Sequence, residues 1–222
     1  MPLSLRNRRT VIVVISVIAI VGVLFLVYRT AAHLQKVAAL NVELHQIRQL
    51  NGRDRAVALR LQATAANFKA QFFSALDMTD MPASSASATA SLMSDRLERL
   101  GRHVREIDAV ILKARSLADQ HDSIHIRRDT SIALNRRVRV TELVSAVKAV
   151  IDDFRANPYA AMAFNVSAND VGRKLGHASY GLSKSLRVIA DDLGVAIHRR
   201  SATASRLQRD VRHLEHAGPF SL

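Results

Sequence analysis

Met93-Ser94-Asp95-Arg96-Leu97-Glu98-Arg99-Leu100-Gly101-Arg102-His103-Val104-Arg105-Glu106-Ile107-Asp108-Ala109-Val110-Ile111-Leu112-Lys113-Ala114 decides the fold. Its apolar residues Met93, Leu97, Leu100, Val104, Ile107, Ile111 and Ala114 step by four and three without an error. That alternation keeps one apolar stripe in line along a helix, the seam of a bundle or coiled coil. A half-buried strand would alternate every second residue instead.

The same rhythm extends to both sides. Upstream, Val37, Leu40, Leu44 and Ile47, then Ala58, Leu61, Ala65, Phe68 and Phe72, mark a first long helix from Thr30 to about Asp77. Asp77–Pro82 should stop it, and the Ser/Ala/Thr-rich stretch Ala83–Ser91 reads as a turn or loose tip. Downstream, the pattern fades at Asp119–Ser123 and resumes at Val140, Leu143, Val147, Val150 and Phe154, stopping before Asn157-Pro158. Tyr159–Val166 is apolar and reads as a cap, and Ser167–Asp170 as the N-cap of a fourth helix. That helix carries Val171, Leu175, Ala178, Leu182, Leu186, Ile189 and Leu193, later Leu207, Val211 and Leu214, and should end at Gly218-Pro219. Gly172, Gly176 and Gly181 line one side of it, as close helix contact would require.

Ahead of the bundle lies a basic leader, residues 1–9, with Arg6, Arg8 and Arg9. Thr10–Tyr28 then carries no charge, and its helix would span about 28 Å, nearly the hydrocarbon thickness of a bilayer. Tyr28 and Arg29 suit the interface. The apolar core is long and lacks a small-x-small cleavage site, so a retained signal anchor is expected rather than a removed leader. The arginines before the span favour an N-terminus inside and the large domain outside, in the periplasm of a bacterial inner membrane. The expected architecture is all-α: a transmembrane helix at 10–28, then an antiparallel four-helix bundle over 29–217 and a tail at 218–222. The helices should fall at about 30–77, 90–119, 126–156 and 168–216.

Composition agrees. The 222 residues include only 8 Gly and 4 Pro, and no Cys, which excludes disulfides, cysteine-based zinc sites and thiol catalysis. A net charge of +13 implies attraction to anionic partners such as lipid head groups. Nucleic acid is not the expected partner, because the few aromatics are not interleaved with the basic residues as single-strand binders require.

One stretch breaks the seam's rules. In Leu50-Asn51-Gly52-Arg53-Asp54-Arg55, the register of the first helix puts Asn51 and Asp54 on the apolar stripe with Gly52 between them. A mid-helix Gly costs roughly 1 kcal/mol against Ala, and an unpaired polar core residue costs more. Arg53, Arg55 and Arg60 crowd the same turns. Two readings compete. Asn51 and Asp54 can form a register-fixing polar layer while the arginines reach solvent. Alternatively, Gly52 clears space and the arginines present fixed donors to a small oxyanion or carboxylate.

The pattern Gly52-Arg53-x-Arg55-x-Val57-x-x-Arg60, some twenty-odd residues beyond the apolar span, resembles the motif in the periplasmic sensor domains of nitrate/nitrite sensor kinases. It is also similar to the N-terminal domain of pilus-type methyl-accepting receptors. The resemblance covers about a dozen residues and implies a four-helix bundle whose first helix binds an anion at a dimer interface. By position the anion-binding arginine falls on Arg55, with Gly52, Arg53 and Arg60 at other recurrent positions. Asp54 and Ala56 depart from the pattern, and an acidic neighbour weakens a nitrate-like site. Leu134-Asn135-Arg136-Arg137-Val138-Arg139 echoes the motif, making Arg137 and Arg139 candidates for a second copy, with chance in an Arg-rich chain as the competing explanation.

Other constellations are weaker. His121 and His125 stand four apart and His213 and His216 three apart, spacings that put two imidazoles on one helix face. Nothing in the sequence makes those faces converge, so no metal and no cofactor is expected. The pairs Asp152-Asp153 and Asp191-Asp192 read as solubilising surface. No phosphate loop, nucleophile elbow or zinc-protease helix is present, and no enzyme is expected. Two function classes follow. The leading one is a membrane-anchored, sensor-like bundle that binds a small anion or acid, forms a homodimer or engages a partner membrane protein, and signals through its span or that partner. The other is a non-enzymatic scaffold or interaction protein of an envelope assembly.

Overall fold

The computed structural model describes residues 5–76, 83–156 and 161–216. They form four helices, α1 (Leu5–Leu76), α2 (Ala83–Gln120), α3 (Ile124–Ala156) and α4 (Ala161–His216), and among the described residues there is no strand. The apolar N-terminal segment and the first seam belong to the single helix α1, 72 residues long. Near its N-terminus, α1 holds a window with a mean hydropathy of 2.0, long and apolar enough to cross a membrane. Its large side chains from Val17 to Tyr28 are exposed, except Leu26, which is half-buried.

Two boundaries differ from the sequence reading. The stretch from Ala83 to Ser91 is the first part of α2 rather than a loose tip, and Ala86 and Ala90 are buried. Ala is the strongest helix former, and small side chains at four-residue spacing suffice to continue the seam. Likewise Ser167–Asp170 lies inside α4, which starts at Ala161; Ala168 is buried and Asp170 pairs with Arg173 and Lys174 further along the same helix. The expected stops at Asp77–Pro82, Asn157-Pro158 and Gly218-Pro219, and the cap's Tyr159-Ala160, lie outside the described residues.

The chain divides into two units, Met1–Ile47 with Ala196–Leu222, and Arg48–Val195. Helix length is the reason. α1 and α4 have 72 and 56 residues against 38 and 33 for α2 and α3, so only the outer two helices supply the first unit. Within that unit Leu44, Ile47, Ala204 and Val211 are buried, and Arg200 pairs with Glu43 at 2.9 Å.

The second unit contains parts of all four helices. Its interior is the predicted seam: Leu61, Phe68 and Phe72 of α1, the whole Met93–Ala114 stripe of α2, Val140, Leu143 and Val147 of α3, and Leu175, Leu182, Leu186, Ile189 and Leu193 of α4 are all buried. On α3 the seam continues to Ile151, while Val150 and Phe154 are half-buried. Side-chain contacts fix the direction of neighbouring helices. Asn51 Nδ2 donates to Ala190 O at 3.0 Å and Ser183 Oγ to Ala58 O at 3.1 Å, so α1 and α4 pair rising with falling numbers. Arg136 Nη1 donates to Gly181 O and Ser185 Oγ, tying α3 to α4. Arg137 with Asp108, and Arg127 with Asp119, do the same for α3 and α2. Each pair is antiparallel.

The α2–α3 turn shows why the pattern fades there. Asp122 has φ 49°, and Ser123 N donates to Ala118 O at 2.9 Å, which closes α2 in a Schellman-type cap. Asp tolerates the left-handed region better than most residues. Ser123 O then accepts from Arg127 N to start α3.

Candidate functional site

The Asn51–Arg60 stretch lies on α1 in the second unit, and its members go to different places. Asn51 is half-buried and held by the Ala190 carbonyl. Asp54 is fully buried, and neither of its carboxylate oxygens has a hydrogen-bond partner. Burial pushes its carboxyl up to about 7. Both seam positions are therefore polar groups turned inward, as the helical register predicts.

The arginines point outward. Arg53, Arg55 and Arg60 are exposed. Arg55 Nη2 donates to Asp191 Oδ1 at 3.3 Å, with the two side chains 59% and 74% exposed. An exposed pair of this kind contributes between nothing and about 1 kcal/mol. Arg55 also borders an open groove of about 220 Å³ between α1 and α4, lined by Arg55, Leu59, Arg187 and Asp191. Arg187 reaches back to Gln62. The groove thus holds two guanidiniums against one carboxylate over the apolar side chain of Leu59, which is itself 59% exposed. Arg53 and Arg60 do not line it. Gly52 is exposed, and a Cβ added there would meet nothing within 4 Å, so no neighbour within the chain requires glycine.

The second-copy candidates are engaged within the fold. Arg137 pairs with Asp108 across α2 and α3, and Arg139 with Glu142 one turn along its own helix at 3.0 Å. The histidine spacing does not survive folding at the first pair. His121 falls in the turn after α2 and His125 in the first turn of α3, so the two do not share one helix face. Both are exposed, as is His213; the side chain of His216 lies outside the described set. Among the described residues no three His, Asp or Glu groups converge as metal ligands would.

Two carboxyls on other helices escaped the sequence reading. Asp129 of α3 is buried beside the fully buried Thr130, and Arg128 Nε donates to it at 3.2 Å. Asp192 of α4 is half-buried and lies near Asp129. Burial, then the neighbouring Asp129 carboxyl, hold its carboxyl above the usual range, against the opposing charges of His125 and Arg128. Of the pair Asp191-Asp192, only Asp191 is a surface group. Stepping the α3 seam back from Val140 through Ala133 reaches Asp129 and Thr130, so the signal was present. Arg187 and Asp191 had none, because what places them beside Arg55 is the α1–α4 register.

Compared with protein-family models, with curated proteins and with solved structures, the chain finds no match.

Proposed function

We propose that this is a single-span inner-membrane protein whose helical bundle, on the periplasmic side, takes up a small anion or acid in the Arg55–Arg187 groove. The N-terminal apolar part of α1 crosses the bilayer, with the basic leader inside. The observation that supports ligand uptake is the groove itself: two arginine heads and one carboxylate around an exposed leucine. Arg55 spends only one donor on Asp191, at 3.3 Å in a solvated setting, and a guanidinium carries five. An incoming carboxylate or oxyanion can replace Asp191 at little cost and gain a charge-assisted fork. Leu59 suits a ligand with a short apolar part. The resemblance of the Gly52–Arg60 stretch to anion-sensing bundles points to the same arginine. The protein acts without catalysis, signalling through its span or through a partner, as a homodimer or beside another membrane protein.

A scaffold role is the second reading, favoured by Tyr180 and Val188 on α4, which together with Leu59 are large apolar side chains left exposed on the bundle. Thermal-shift measurements on the full chain in detergent, against nitrate, nitrite, sulfate and small carboxylates, separate the two. A stabilising anion whose effect is lost in Arg55→Ala supports the sensor reading. No shift with any of them leaves the scaffold.

A further inference from the structure

We propose that Asp54 is a proton-binding site inside the bundle, which takes up a proton as its surroundings acidify and thereby tightens the α1–α4 packing around Asn51. Independent of the groove, two adjacent seam positions are out of balance. Asn51 already fixes the α1–α4 register through the Ala190 carbonyl. Asp54, one turn on, is fully buried with both oxygens unpartnered, so it adds nothing to register and weakens packing relative to Leu. A buried carboxyl without a partner is tolerated when protonated and costly when ionised.

Asn51 meets Ala190 and Ala58 meets Ser183, so Asp54 lies level with the turn of α4 between those two contacts. Charges around this site do not relieve Asp54. On its own helix Arg53 is exposed and Arg55 is turned out to Asp191 of α4. From α4, Arg187 is exposed and bonds Gln62. From α3, Arg128 bonds Asp129, His125 is exposed, and Arg136 is turned to Gly181 and Ser185 of α4. At this height α2 buries Val110, Ile111 and Ala114, its Lys113 and Arg115 are exposed, and its Asp108 is paired with Arg137.

The sign follows from linkage. Folding raises the Asp54 carboxyl to about 7, so between the ordinary carboxylate range and that point the folded chain holds a proton that the unfolded chain releases. Stability is therefore greatest in acid, falls as pH rises towards neutrality, and levels off above it. One such proton changes the folding equilibrium constant roughly tenfold per pH unit within the window.

The test is reversible denaturation of the full chain in detergent across about pH 5 to 9. Wild type should lose stability with rising pH, and Asp54→Asn, which cannot ionise, should flatten that slope by one proton. Asp54→Leu guards against an unstable amide variant: it should be less sensitive to pH and more stable than wild type above neutrality. An infrared band from a buried protonated carboxyl should be present at acid pH, vanish as pH rises, and be missing from both variants. A wild-type profile without a decline, or variants that keep the wild-type slope and band, would overturn the proposal.

Discussion

The β-carbon that Gly172 lacks would sit 2.9 Å from both Cδ1 and Cε1 of Phe72. The Phe72 ring is fully buried and stacks on Phe68 with centroids 5.4 Å apart, so it has no room to retreat. Gly172→Ala should therefore destabilise the chain by about 1 kcal/mol, overpacking outweighing the gain in helix propensity. Gly52→Ala should do the reverse, adding up to about 1 kcal/mol, because the new methyl meets nothing. Denaturation midpoints of the two variants should move in opposite directions.

Leu100 and Ile107 are fully buried in the middle of the α2 stripe. Truncating either to Ala should cost about 2–5 kcal/mol, from lost transfer energy and the cavity left behind. A change below half a kcal/mol at both, read from urea titration, would mean that the stripe is not a core.

Asp122 carries the positive φ of 49° that closes α2. Asp122→Gly should be neutral or slightly stabilising, losing only its exposed pair with Arg127. Asp122→Val should cost roughly 1–2 kcal/mol, because a β-branched residue resists the left-handed region. Thermal unfolding of the two variants reads the difference.

The seams were legible because they rest on local periodicity alone: all seven stripe positions from Met93 to Ala114 are buried, while Leu112, off the stripe, is exposed. The same arithmetic turned Asp54 inward. Terminal boundaries were less legible. Ser, Ala and Thr near Ala83 look like a turn by composition, yet α2 continues through them because small side chains still fill the seam. The groove was half legible. Arg55 announces itself in a motif, whereas Arg187 and Asp191 reach it only through the pairing of α1 with α4, which no spacing along one helix encodes. For the same reason no spacing along α4 tells the half-buried Asp192 from the exposed Asp191.

Retention and orientation of the span give another test. In spheroplasts, added protease should digest the bundle, while Thr10–Tyr28 stays with the membrane fraction and the leader is protected. Protection of the bundle would reverse the orientation.

Ligand uptake at Arg55 is the central claim, and its most direct measurement is calorimetric titration of the full chain with whichever anion stabilises it most. Losing a charge-assisted contact worth roughly 1.5–3 kcal/mol weakens affinity by about tenfold to a hundredfold or more. Arg55→Ala should show that loss with its fold intact, and Arg55→Lys should recover only part because the planar fork is gone. Asp191→Asn, which frees Arg55 from its partner, should bind somewhat more tightly. Equal affinity in wild type and Arg55→Ala would contradict the account, and so would the absence of binding by any small anion.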